Sequence, residues 1–207
     1  MSEFSLNIPN DYPDWLTRHY RIGRFYEHDM LEHIARSSRR GAFVDVGSNA
    51  GNHSVYFALH CPSTIVHSFE PNVTLHRHFI AMMEANAASS KVRLYDHALA
   101  DAEGELEVTF AIRTNAPNWT GRVPARRMDD VLATGDVAVI KIDVEGGETS
   151  VLRGGLGLIA RCRPLIYAEA QDEEARAETA AVLSEVGYRP TGRVFNHTPT
   201  HEYAPSE

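Results

Sequence analysis

Residues 41–53 read GAFVDVGSNAGNH, and this stretch decides the fold. Ala42 to Val46 form a short apolar run between Gly41 and Gly47, which predicts a buried strand closed by a turn. Val55, Phe57, Ala58 and Leu59 then predict a helix from about Asn52 to His60. Working outward, the same alternation repeats. STIVHSF (63–69) is a second strand, followed by a helix over 74–88 that carries Leu75, Phe79, Met82 and Met83. KVRLYDHAL (91–99) reads as a third strand and GELEVTFAI (104–112) as an edge or flap segment. RTNAPNWTGRVPARR (113–127) reads as a loop, because Pro117, Gly121 and Pro124 punctuate it. DVAVIKIDVEG (136–146) is a nearly continuous apolar strand of the kind buried on both faces. A glycine-broken helical segment over 148–161, the strand RPLIYAEA (163–170) and a helix within 172–188 follow. The tail, 188–205, suits an antiparallel hairpin, and near the start Phe25, Tyr26, Met30, Leu31 and Ile34 mark a helix. Strands alternating with helices predict a parallel sheet covered on both faces.

Composition narrows the function classes. The 207 residues are 43% hydrophobic and 23% charged, ordinary values for one globular unit with a large core. Twenty basic against 28 acidic residues leave a net charge of −8, which disfavours a sequence-blind nucleic-acid binder. No stretch approaches a membrane span, and the first residues lack a basic segment followed by an apolar run. With only Cys61 and Cys162, read as buried thiols, the expectation is a cytoplasmic protein with no membrane partner.

In a sheet of this kind ligands sit at the carboxyl ends of the strands, so the polar residues after each apolar run are the ones to read. After the first strand stand Asp45, Gly47, Ser48, Asn49 and Gly51. The glycines alone fit an ordinary strand-to-helix turn. A dinucleotide turn needs a third glycine where Asn49 stands, and Asp45 would repel a diphosphate. A cationic ligand part suits the site better. Glu70 follows the second strand, 19 residues beyond Gly51, where a carboxylate can accept hydrogen bonds from a ribose diol or simply face solvent. Asp96 and Ala98 follow the third strand, near an adenine position or in a turn. Lys141 interrupts the central strand and needs an anionic partner, for which Asp143 shares its face. Glu145 and Glu148 come next, Glu148 as a helix start.

FVDVGSNAGNHSVYFA, SFEP, HALAD, MDDVL and VIKIDVEGGETSVLRGG resemble the FkbM family of S-adenosylmethionine-dependent methyltransferases over residues 25–169, and the tail NHTPTHEY is also similar. The resemblance implies an α/β class I methyltransferase fold. That is a seven-stranded, mostly parallel sheet with helices on both faces and a C-terminal antiparallel hairpin. It divides the chain into a helical lead-in or cap, 1–40, and a methyltransferase domain, 41–207. S-adenosylmethionine is the implied cofactor, held by Asp45, Gly47, Asn49, Gly51, Glu70, Asp96 and Ala98. Ser48 stands where alanine is usual, a change that reads as harmless.

The implied reaction is transfer of a methyl group, generally to oxygen, on a small molecule, sugar or secondary metabolite. A protonated hydroxyl is a poor nucleophile, so a general base is expected. Asp143 is the first candidate, with Glu145 and His53 behind it and Lys141 orienting Asp143. DVEG stands where amino-methylating nucleic-acid enzymes carry an Asn/Asp-Pro-Pro-aromatic tetrad, so no nucleic-acid partner is expected. No metal-ligand spacing is evident. The acceptor site is expected from the N-terminal helix, the stretch 113–127 with Asn118, Trp119 and Arg122, and the final hairpin. The cleft is either open or completed by a second copy in a homo-oligomer. Two rival classes are a nicotinamide-dependent oxidoreductase and a non-catalytic nucleoside-binding module on the same sheet.

Overall fold

The computed structural model describes residues 6–110 and 119–206. The chain opens with helices α1 (Asp14–Arg21) and α2 (His28–Arg36), then β1 (Gly41–Val46), α3 (Asn52–His60), β2 (Ser63–Phe69) and α4 (Val73–Ala85). Next come β3 (Val92–Tyr95), β4 (Ala98–Leu99), β5 (Gly104–Phe110), β6 (Trp119–Arg126), α5 (Met128–Val131) and β7 (Val137–Ile142). The remainder is α6 (Glu148–Arg153), α7 (Leu156–Cys162), β8 (Leu165–Glu169), α8 (Glu173–Ser184), β9 (Tyr188–Phe195) and β10 (Thr200–Pro205).

Seven of these strands form one sheet in the order β3-β2-β1-β7-β8-β10-β9. The first five in that order run parallel, and β10 pairs antiparallel with both β8 and β9. This is the Rossmann-like methyltransferase architecture with its C-terminal antiparallel hairpin. Every residue of β1 and β7 is buried, as their unbroken apolar runs require for strands covered on both faces. On one face Leu16, Met30, Phe57 and Phe79 bring α1 to α4 into a common core; on the other, Leu152, Leu158 and Val182 bring in α6 to α8. Strand order reverses between β1 and β7. Their carboxyl ends therefore open a crevice, the switch point of such sheets.

Three elements differ from the sequence reading. The stretch 91–99 is two strands, because Asp96 and His97 turn the chain and β4 leaves for a second, three-stranded sheet of order β4-β6-β5. Residues 119–126, expected as loop, form β6, whose antiparallel pairing with β5 overrides its turn-forming glycine and proline. Residues 113–118, Asn118 among them, lie outside the described residues. The lead-in also carries a helix, α1, that the spacing did not reveal.

Polar latches join the lead-in to the sheet. Tyr12 donates its hydroxyl to the Ala50 carbonyl at 2.8 Å, and Tyr20 to Asn52 Oδ1 at 2.9 Å. Asn52 also accepts from the Tyr26 N–H and donates to the Tyr26 carbonyl, so it grips that residue's backbone from both sides. Towards the β9 end of the sheet, buried Glu202 on β10 accepts from the Tyr167 hydroxyl, Thr191 and Arg193 and meets His33 of α2 at 2.7 Å. Glu202→Ala leaves these groups unpaired around a hole and is expected to cost about 3 kcal/mol, measured by urea unfolding.

Candidate active site

A cleft of about 1290 Å³ lies at the carboxyl ends of β1 and β7. Its floor is the turn after β1. Gly47 sits at φ 77°, and a Cβ there would stand 1.8 Å from the Asp143 carbonyl, so only glycine lets the two strand tips approach. Asn49 takes the left-handed conformation at φ 50°, which asparagine tolerates, and its side chain accepts the next N–H, that of Ala50. Gly51, also at positive φ, faces Phe79 and Met83 of α4 and serves helix packing.

The backbone N–H groups of this turn are all engaged. Gly47 and Ser48 donate to the Phe69 carbonyl, Asn49 to Glu70, Ala50 to Asn49 and Gly51 to Ser48. A diphosphate cradle needs such groups free and pointing at the ligand. The turn is built differently.

Glu70 clamps the turn from the tip of β2. One oxygen accepts the Asn49 N–H and the other the Asn72 N–H, each at 2.8 Å. Burial outweighs these bonds and pushes its carboxyl up to about 7. Ser48 Oγ is buried, lines the cleft and has no hydrogen-bond partner among the described residues. The serine therefore presents an unspent hydroxyl, which a sequence reading of harmless substitution did not foresee.

Lys141 is the central cation. Only 1% exposed, it lies 3.4 Å from Asp45 and 3.5 Å from Asp143, and donates to the Gly47 carbonyl at 3.1 Å. Burial lowers the lysine's proton affinity, but Asp143 and Asp45 reverse this and raise it above the usual range. Asp45 also accepts a 2.6 Å bond from Ser54. Asp45 is fully buried behind the lysine and does not line the cleft, so a direct contact between it and a cationic ligand is not what the geometry offers. Asp143 and Glu145 do line the cleft, Glu145 at φ 57° in the turn after β7. Glu148 begins α6 and accepts the N–H groups of Val144 and Gly146, which ties down that turn.

His53 of α3 also lines the cleft, with its Nε2 3.1 Å from Glu27 Oε2. Burial raises the Glu27 carboxyl, but His53 and then Lys141 outweigh it and hold the group below the usual range. Glu27 reaches the site because Asn52 grips residue 26 and Glu27 itself adopts a left-handed backbone. Nothing in the sequence marks it. Glu169, at the tip of β8, lines the cleft as well and is 9% exposed. Burial first, then the charges of Asp143 and Glu27, push its carboxyl up to about 8. The rule that singled out the other tips, reading the first polar residue after an apolar run, reaches Glu169 too.

Other expected positions fall elsewhere. Ala98 lines the cleft, but Asp96 does not; its side chain is 77% exposed and lies near His97. The reason is the turn between β3 and β4, which swings Asp96 outward. Arg122 faces solvent, 3.7 Å from Glu105, and the described lining includes no residue of the β9–β10 hairpin. The outer wall comes instead from Trp15 and Tyr26 of the lead-in and from residues 106–109 of β5. Among the described residues no cluster of three or more His, Cys, Asp or Glu side chains gathers as a metal site. No helix among them is long and apolar enough to cross a membrane.

A mostly parallel sheet with a glycine turn at its switch point, an acid at the second strand tip and an ionisable cluster at the tip of β7 fits the Rossmann-like methyltransferase class. The profile of the Methyltransferase FkbM domain matches residues 45–190, and the chain belongs to the FkbM methyltransferase family. Among solved structures, the methyltransferase FkbM of Methylobacillus flagellatus KT is 18% identical with a TM-score of 0.58; the match covers 80% of this chain and 43% of that one. This chain thus spans less than half the length of that protein. Precorrin-6y C5,15-methyltransferase from Geobacter metallireducens GS-15 is 13% identical with a TM-score of 0.59, covering 100% of both chains. The B. subtilis M1A22 tRNA methyltransferase TrmK is 10% identical with a TM-score of 0.53, covering 86% of this chain and 65% of that one. At these identities the likeness shows the fold. No curated protein matches the sequence.

The raised proton affinity of Glu169 has a signed consequence for stability. A carboxyl that titrates higher folded than unfolded holds protons the unfolded chain releases, so stability falls as pH rises from the unfolded value of about 4.5 towards 8. Glu169→Gln removes this loss. Its melting temperature is expected to gain on the wild type by roughly 3 °C or more between pH 5 and 8, as checked by thermal denaturation across that range.

Proposed function

We propose that this protein transfers a methyl group from S-adenosylmethionine to a hydroxyl group of a small molecule or carbohydrate. The observation that carries the reading is the cleft itself, with buried Glu70 and the unpartnered Ser48 hydroxyl beside a turn whose N–H groups are spent. That donor and acceptor set fits a nucleoside better than a diphosphate. Glu70 retains lone pairs for ribose hydroxyls, and Ser48 offers a hydroxyl to the same ligand. Gly47 and Asn49 shape the floor. Phe69, Ala98 and Leu99 supply an apolar wall for a base. When bound, the cofactor supplies an electrophilic methyl on a sulfonium, already a good leaving group.

The chain's own residues supply orientation and proton handling. Lys141 pairs with Asp143 at the tip of β7, and Glu27 lies 3.1 Å from His53 Nε2. Asp143, Glu145 and Glu169 line the cleft in which an acceptor hydroxyl would bind. Trp15 and Tyr26, whose rings pack edge to face, wall this end of the cleft together with β5. The acidic lining supports a neutral or cationic acceptor and no nucleic acid, although tRNA methyltransferases share the fold. The free thiols Cys61 and Cys162 support a cytoplasmic setting.

Calorimetry is expected to detect binding of S-adenosylhomocysteine and none of NAD; the reverse result overturns the reading. Glu70→Ala is expected to weaken S-adenosylhomocysteine binding by about tenfold or more, since it removes ribose acceptors and the clamp on the turn together. A screen of sugars, polyketides and phenols with a methyl-labelled donor identifies the acceptor. Label found only in RNA would replace the small-molecule reading.

A further inference from the structure

The strand tips set two acids side by side. Parallel pairing matches Ile142 of β7 to Ala168 of β8, so the next residues, Asp143 and Glu169, leave neighbouring tips. Their circumstances differ. Asp143 has an ammonium 3.5 Å away, shared with Asp45, and its side chain is 28% exposed. Among the described residues no donor bonds the Glu169 carboxylate and no cation lies within ion-pair distance, although the residue is nine-tenths buried and lines the cleft. Glu27 lies against His53 and also feels the Lys141 charge. Around Glu169 stand Asp143 and Lys141 from β7, Glu27 from the lead-in and Glu148 from the start of α6. One lysine thus serves a cluster of acids: it pairs directly with Asp45 and Asp143 and reaches Glu169 only as a weaker charge that burial and the neighbouring acids outweigh.

Resting on the S-adenosylmethionine reading, we infer that Glu169 is the group that takes the acceptor's hydroxyl proton, and that a positive charge entering the cleft releases it for that task. Two like charges on adjacent tips disfavour each other, so one of the pair keeps a proton until a cation arrives. Burial and the Asp143 charge hold the Glu169 carboxyl near 8, the proton affinity a general base needs to work near neutral pH. In the transfer the acceptor O–H bond breaks towards a Glu169 oxygen. The freed electron pair forms the bond to the methyl carbon, and the carbon–sulfur pair stays on sulfur. Glu169 then returns its proton to water.

S-adenosylmethionine and S-adenosylhomocysteine differ at sulfur by a methyl group and one positive charge, which makes them the probes. Calorimetric titration with each, in buffers of different ionisation enthalpy, counts the protons released on binding. At about pH 7.5 the sulfonium compound is expected to release roughly half a proton more than the thioether. Glu169→Gln is expected to bind both and to lose the excess. Equal release from the two compounds, or an excess that survives in Glu169→Gln, overturns the assignment of Glu169 while leaving the cofactor reading intact. If neither compound binds, both fall. The wild-type comparison stands whether or not the variant folds. With an acceptor from the screen, Glu169→Gln is expected to lower kcat by about 10²–10⁴-fold at unchanged KM, and a loss under about tenfold overturns the role.

Discussion

The rest of the site depends on one buried ammonium. Lys141 is almost wholly removed from water, a state that is tolerable only because Asp45, Asp143 and the Gly47 carbonyl surround it. These partners come from β1, the turn after it and the tip of β7. The lysine therefore joins the two strands at the point where the sheet order reverses. Gly47 completes the junction by letting the Asp143 carbonyl approach where any side chain would collide. The crevice floor is braced by charge, and the N–H groups of its turn are already engaged.

The same lysine leaves the site short of positive charge. Glu70 and Glu169 both hold protons more tightly than an exposed carboxyl, but for different reasons and to different effect. Glu70 is desolvated yet spends both oxygens on backbone N–H groups, so it acts as a fixed clamp with lone pairs to spare. Glu169 is desolvated, crowded by neighbouring acids and bonded to none of the described residues. A fixed acid suits recognition, and an uncommitted one suits proton transfer.

Proteins that share this fold at 10–18% identity include a precorrin methyltransferase and a tRNA methyltransferase, so the sheet by itself does not choose an acceptor. In this chain the outer end of the cleft is walled by the lead-in and by β5, elements added around the sheet. Tyr12, Tyr20 and Asn52 latch the lead-in onto the β1 turn, which couples the wall to the floor. Specificity is accordingly sought in the wall.

Much of this was legible in the residues. The apolar runs at 42–46 and 137–142, with glycines beside them, dictated a parallel sheet buried on both faces, because such strands have no polar side to show to water. The strand-tip rule located Gly47, Asn49, Glu70, Lys141 and Asp143, and the face shared by Lys141 and Asp143 anticipated their pairing. What the chain order could not express was distance across the fold. Glu27 carries no local signal and reaches His53 only through the grip of Asn52. Asp45 lies behind the lysine, not in the cleft, because the charge it meets comes from a strand almost a hundred residues later. Asp96 turns outward, and residues 119–126 become a strand, because pairing with β5 outweighs local turn preference. Periodicity and composition determined the sheet and the row of tips; only packing decided which acids lie against Lys141, because that depends on distance across the fold.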